Sequence, residues 1–128
     1  ATPESDVDLL VIVCDASSDY FERLQPLLEA WRALERSPEA AALRRKGIEP
    51  YLSFLALSEE EANQNRYIFL DMIEEGIILH DQGGYFARRL KALEQRLSAL
   101  GSRKVYLEDR TWYWDLKPDL VLGEVFEL

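Results

Sequence analysis

The longest unbroken run of apolar residues, at positions 9–14, directly follows two aspartates that are one residue apart, Asp6 and Asp8. The run is rich in β-branched residues, which favours a strand that is buried on both faces. Because side chains alternate between the two faces of a strand, Asp6 and Asp8 are expected to point to the same side. The pattern therefore predicts two carboxylates on one face at the start of a buried strand.

Helical periodicity follows this strand. Apolar residues at helical spacing predict a helix from about residue 18 to residue 36, and Pro26 predicts a kink or a restart within it. Ser37, followed by a proline, predicts a second, short helix that runs to residue 45. Alternating residues at 48–57 predict the next strand. The first part of the chain thus alternates between strands and helices.

The second part begins with a capping-box pattern, in which Ser58 caps a helix and Glu61 completes the box. This helical pattern continues to Gly76, with a possible break near Asn65. The remaining predicted elements are a short strand at 77–80, a helix at 86–100 that Gly101 ends, a hairpin of strands at 103–107 and 111–116, and an extended tail docked by Leu120, Leu122, Val125 and Phe126. These elements predict an α/β fold, with helices packed mainly on one face of a mixed sheet and a helix and hairpin at the C-terminal end.

Composition and charge narrow the class of protein. The chain has 128 residues, 48% of them hydrophobic, which is enough for one domain, expected to span 1–128. Its net charge is −9, a poor match to general nucleic-acid binding. Cys14, the single cysteine, excludes an internal disulfide and is expected to be a small buried hydrophobe. With no long apolar span and no signal-like start, a cytoplasmic location without a membrane is expected.

The chemistry of the two aspartates points to a divalent cation. Mg²⁺ is typically held by one or two carboxylates together with the phosphates of a substrate. Asp6 and Asp8 are therefore the candidate metal ligands, and solvated acids at the entry of a strand are the alternative.

Three segments carry a resemblance to a known family. Residues 5–11 read SDVDLLV, residues 70–81 read LDMIEEGIILHD, and residues 112–119 read WYWDLKPD, followed by GEV at 123–125. This combination resembles the polymerase-β-type nucleotidyltransferase superfamily, specifically its small stand-alone prokaryotic members, which include antitoxins. The likeness covers most of the chain, and its most diagnostic part is the Asp-x-Asp segment.

The resemblance implies a reaction and a set of residues. Asp6 and Asp8 would be catalytic and would bind Mg²⁺, with two ions expected, and Ser5 would contact the nucleotide. An NMP would pass from an NTP, most simply ATP, to a protein or nucleic-acid acceptor, and the partner could be a small helical toxin-like protein. Independently of the resemblance, the Trp-rich hairpin and tail could form the interface of a homo-oligomer, which is compatible with either function. The rival interpretation is a catalytically degenerate module of the same fold that binds a nucleotide or a protein.

Two departures from the family pattern bear on this choice. The Gly-Ser pair that precedes the first acid in the family would fall before Ala1, so the N-terminal part of the domain is expected to be missing. The family's third carboxylate falls near Ser53 when it is placed by its distance from Ser58. The nearest acid on the same strand face is Glu49, about 13 Å away along a strand, which makes it a distant candidate for the third metal ligand.

Other polar and aromatic residues have both a functional and a structural interpretation. Asp71 either orients the site or is simply an acid on a helix surface or a helix cap. His80 is either a base or a surface histidine. Trp112 and Trp114 share one face of the predicted hairpin and either stack a base or pack in the core or at a dimer interface. The basic face of the helix at 86–100 either contacts phosphate or is a solvated surface; its members are Arg88, Arg89, Lys91 and Arg96.

Overall fold

The computed structural model of the chain describes residues 5–14, 19–109 and 111–128. Its backbone divides into two compact units, Ala1–Gln64 and Asn65–Leu128. Each unit contains helices and one small sheet, which confirms the α/β class. The expectation of a single domain over residues 1–128 stays a prediction.

The first unit is built on a pair of parallel strands. Strand β1 is Val7–Val13 and strand β2 is Leu52–Ser58, and their register joins Val7 to Leu52 and Val13 to Ser58. Parallel strands need a long crossover connection, and helices form most of it here. These helices are α1, Tyr20–Glu35, and α2, Pro38–Arg45.

Cap residues fix the ends of these helices. The Asp19 side chain accepts hydrogen bonds from the first turn of α1, and the Ser37 hydroxyl accepts one from the first turn of α2. The predicted restart at Pro26 is wrong, since α1 is one helix of 16 residues. Pro26 is exposed, so water can satisfy the one carbonyl that loses its helical partner.

The short helix α3, Glu59–Ala62, follows β2 directly. Ser58 and Glu61 form the predicted capping box, with both reciprocal hydrogen bonds present. The Glu61 carboxylate also binds the guanidinium of Arg23, whose side chain is only 5% exposed, at 2.9 Å. This ion pair joins α1 to α3. Ala56 and Leu57 are the buried residues of β2.

The second unit packs two helices against each other and ends in a hairpin. Helix α4 is Tyr67–Glu75 and helix α5 is Tyr85–Leu100, preceded by a 3₁₀ turn at Gln82–Gly84. The core between the helices contains Phe69, Leu70, Leu93 and Leu97. Gly101 ends α5 in the left-handed conformation, as predicted, and the antiparallel strands β3, Arg103–Tyr106, and β4, Trp112–Asp115, follow.

Three predictions are wrong. Residues 77–80 form irregular backbone with exposed side chains rather than a strand. The described strands form a parallel pair and an antiparallel pair in separate sheets, not one mixed sheet. Leu120, Leu122 and Val125 do not dock the tail, since their side chains are exposed. The guanidinium of Arg96 instead binds the tail through the carbonyl oxygen of Glu127, at 2.7 and 3.0 Å.

Candidate functional site

Asp6 and Asp8 lie at the start of β1. Asp8 is the second residue of the strand and Asp6 immediately precedes it, and both side chains are exposed. The strand is already paired at this point, because the amide of Val7 donates to the carbonyl oxygen of Tyr51 at 2.9 Å. The alternation of an extended chain therefore places both carboxylates on one accessible face of the parallel pair.

Ser53 lies directly across from Asp8. The strand register pairs these two residues, and Ser53 is exposed as well. Residues that are paired across neighbouring strands share a face, and the strands of a sheet are about 4.8 Å apart. The hydroxyl group of Ser53, near which the predicted resemblance to the nucleotidyltransferases would put a third carboxylate, is thus next to Asp8.

Glu49 lies outside this arrangement. It precedes the first residue of β2, Leu52, by three positions, and its carboxylate contacts the guanidinium of Arg44 at 3.3 Å. Arg44 also binds the backbone carbonyl of Glu35, at 2.9 Å, so it is anchored to the end of α1. The structure therefore gives Glu49 a structural role, and its role as a metal ligand stays a prediction.

The side chains at the start of β1 and β2 suit a hard divalent cation. Asp6, Asp8 and Ser53 offer only oxygen atoms, which Mg²⁺ prefers, and their exposure leaves room for water and phosphate oxygens around an ion. Within the described ranges, no group of three or more His, Cys, Asp or Glu side chains is close enough to hold a metal. An ion at this site would therefore need ligands from its substrate, as Mg²⁺ commonly does.

Ser5 is exposed and immediately precedes Asp6. Its position next to the two acids is compatible with the predicted contact to a nucleotide, which stays a prediction.

Cys14 lies at the opposite end of β1 and is exposed, so the expectation of a buried hydrophobe is wrong. The strand ends at Val13, one residue earlier than the apolar run suggests. A hydrogen bond to the carboxylate of Glu59, together with the negative charge of that group, raises the pKa of the Cys14 thiol. The thiol is thus held protonated, which disfavours a nucleophilic role.

The other candidate residues named in the sequence analysis fall in the second unit. Asp71 accepts a hydrogen bond from the indole of Trp114 at 3.3 Å, and His80 is exposed in irregular backbone. Two basic residues of α5 contact backbone or side-chain oxygens of the same unit. Arg88 donates to the carbonyl of Gly83, and Arg89 donates to the side chain of Asn65.

Asp81, next to His80, caps the first turn of α5 with its side chain, a role that was not predicted from the sequence. Its carboxylate accepts hydrogen bonds from the amides of Ala87 and Phe86, at 2.8 and 3.0 Å, and these bonds lower the pKa of Asp81. The signal was present, since an acid that shortly precedes a helix is a common cap.

No helix in the described part of the chain is both long and apolar enough to cross a membrane. Comparisons of the chain with protein-family models, curated proteins and solved structures found no match. The functional assignment therefore depends on the residues at the start of β1 and β2.

Proposed function

We propose that the chain is a Mg²⁺-dependent nucleotidyltransferase that moves an NMP from an NTP, most simply ATP, to a protein or nucleic-acid acceptor. The observation that supports this proposal is the placement of Asp6 and Asp8 on one exposed strand face beside Ser53. Carboxylates in this arrangement suit a cation that also binds phosphate oxygens.

Charge repulsion adds a second argument. Two carboxylates on one face of a strand repel each other, and a bound cation would relieve that repulsion. In this proposal Asp6 and Asp8 would hold Mg²⁺, which would supply the positive charge that neutralises the triphosphate while the acceptor hydroxyl displaces pyrophosphate from the α-phosphorus. Ser5, immediately before Asp6, contributes a hydroxyl group for contact with the nucleotide.

The second candidate function is a nucleotide- or protein-binding module without catalysis. Ser53 favours this second candidate, because it places a neutral hydroxyl opposite Asp8. The nucleotidyltransferases that the sequence resembles would supply a third carboxylate near this position. A site with two carboxylates would bind a metal nucleotide but would activate the acceptor hydroxyl poorly. The nucleotide-binding form of this module shares its ligand with the enzyme and differs only in whether a bond to phosphorus is broken.

A labelled-nucleotide assay separates them. The chain is incubated with Mg²⁺, with ATP labelled at the α-phosphorus, and with protein and RNA acceptors that include small helical proteins. Label transfer that is lost in the Asp6→Asn/Asp8→Asn double variant supports the nucleotidyltransferase. Binding of ATP without transfer, together with transfer that appears in Ser53→Asp, supports the degenerate module. Label that the wild type and the double variant transfer to an acceptor equally well contradicts both.

A further inference from the structure

A cleft of about 450 Å³ lies in the second unit, between the N-terminal part of α4 and the strand β4. Its walls are mostly aromatic and aliphatic, with one carboxylate. The residues that line it are Tyr67, Ile68, Leu70, Asp71, Trp112, Trp114 and Leu116. Clefts with apolar walls and a few fixed polar groups are typical of ligand sites.

Polar contacts fix the aromatic wall of the cleft. The register of β3 and β4 pairs Lys104 with Trp114, and alternation places Trp112 on the same face. The Trp114 indole donates to Asp71, and the ammonium group of Lys104 lies 4.0 Å from the centre of the Trp112 ring. The rings are therefore held in place before any ligand arrives, which reduces the entropy lost on binding.

The charges around the cleft are predominantly negative. Asp71, Glu74 and Glu75 project from α4, and in the described part of the chain only Lys104 is a positively charged residue that contacts them. Lys104 binds Glu74 at 3.0 Å and Glu75 at 3.2 Å, and the hydrogen bond to Glu74 is the main reason that the pKa of Lys104 is raised. This leaves Asp71, whose described partner is a neutral indole, as the charge available to a ligand.

The exposed rings identify the kind of ligand. Tyr67 is 75% exposed and Trp112 is 38% exposed, so both rings offer surface to a planar group. A guanidinium group stacks on aromatic rings and donates two parallel hydrogen bonds to a carboxylate. A phosphate would be repelled by the acids of α4, and a neutral base would gain nothing from the charge of Asp71.

We propose that this aromatic cleft binds an arginine side chain of a basic protein segment. The guanidinium lies against the rings of Tyr67 and Trp112 and pairs with the carboxylate of Asp71. The site is contained in the second unit and does not depend on the nucleotidyltransferase proposed for the first.

Indole N–H spectra of the full chain, titrated with N-acetyl-arginine amide, test the proposal. N-acetyl-citrulline amide is the matched probe, because it has nearly the same shape and no charge. The signals of Trp112 and Trp114 are expected to shift with arginine, while that of Trp31 in the first unit stays fixed as an internal control. Citrulline is expected to bind at least about tenfold more weakly.

Two variants locate the interaction. Asp71→Asn keeps an oxygen for the Trp114 indole but removes the charge, and it is expected to weaken arginine binding about tenfold. Tyr67→Leu changes a largely exposed ring and is expected to weaken binding about threefold to tenfold without loss of the fold, as far-UV circular dichroism verifies. Equal shifts with citrulline, or unchanged affinity in Asp71→Asn, would overturn the proposal. Tighter binding of adenosine than of arginine would overturn it in favour of base stacking.

Discussion

Replacing Ser53 by aspartate places a third carboxylate on the face that carries Asp6 and Asp8. The register of the parallel pair sets Ser53 opposite Asp8, so the new charge lies about 5 Å from an existing one. Two unit charges at that separation repel by about 0.8 kcal/mol in water and by about 3 kcal/mol at an effective dielectric constant near 20. Both positions are exposed, so the lower figure applies, and Ser53→Asp is expected to lose about 1 kcal/mol without metal.

Mg²⁺ is expected to reverse this loss. A cation present at ten times its dissociation constant stabilises the folded state by about 1.4 kcal/mol, which exceeds the repulsion. Thermal unfolding followed by circular dichroism, with EDTA or with Mg²⁺, measures both effects. For a unit of this size the loss corresponds to a melting temperature lower by about 4–8 °C.

Two controls isolate the charge. Ser53→Asn has nearly the same shape as Ser53→Asp and no charge, so it should melt close to the wild type with or without Mg²⁺. In the double variant Asp8→Asn/Ser53→Asp the repulsion should largely disappear, as a double-mutant cycle would show. If Ser53→Asp and Ser53→Asn melt together in EDTA and respond equally to Mg²⁺, the two positions do not share a site and the reasoning fails.

Three further substitutions test the fold around the sites. Phe69→Ala removes a side chain that is 1% exposed and packs edge-to-face on Phe86, so urea unfolding should show a loss of about 3–5 kcal/mol; a loss below 1 kcal/mol would contradict this packing. Asp81→Asn tests the carboxylate of Asp81, whose pKa the amides of α5 lower from 3.8. The ionised carboxylate therefore stabilises the folded state above pH 3.8, and this contribution is lost as the pH falls through the lowered pKa. The stability difference from the wild type should therefore shrink on acidification, whereas a constant difference would refute the cap. Gly76→Ala brings a Cβ to 2.5 Å from the backbone oxygen of Met72, so urea unfolding should show a loss of about 1–3 kcal/mol; unchanged stability would contradict this close contact.

Local hydrogen-bond chemistry made much of the fold predictable. The capping box of Ser58 and Glu61, the Ser37 cap and the Gly101 stop each involve groups within a few residues, and the structure contains all three. Strand pairing depends on distant partners, which is why residues 77–80 read as a strand but lie in irregular backbone. The exposure of Cys14 has the same origin, since the sequence does not mark where pairing between β1 and β2 stops.

The candidate site depends on the sequence in part. Alternation along one strand predicts Asp6 and Asp8 on a common face, and the resemblance, with the distance to Ser58, puts the third acid near Ser53. That Ser53 is paired with Asp8 depends on the register of β1 and β2, which the sequence does not specify. The ion pair that engages Glu49 joins the end of α2 to the loop before β2 through Arg44. Neither this contact nor the one between Trp114 and Asp71 follows from a periodic pattern, because both depend on how separate elements pack.

The central claim is that Asp6 and Asp8 together hold a metal-bound nucleotide. Calorimetric titration of the chain with ATP in the presence of Mg²⁺ tests it directly, with the Asp6→Asn/Asp8→Asn variant as the control and circular dichroism to verify its fold. The wild type is expected to show a heat of ATP binding that EDTA removes and that the variant lacks. A heat of the same size in the folded variant, or in the wild type with EDTA, would contradict it.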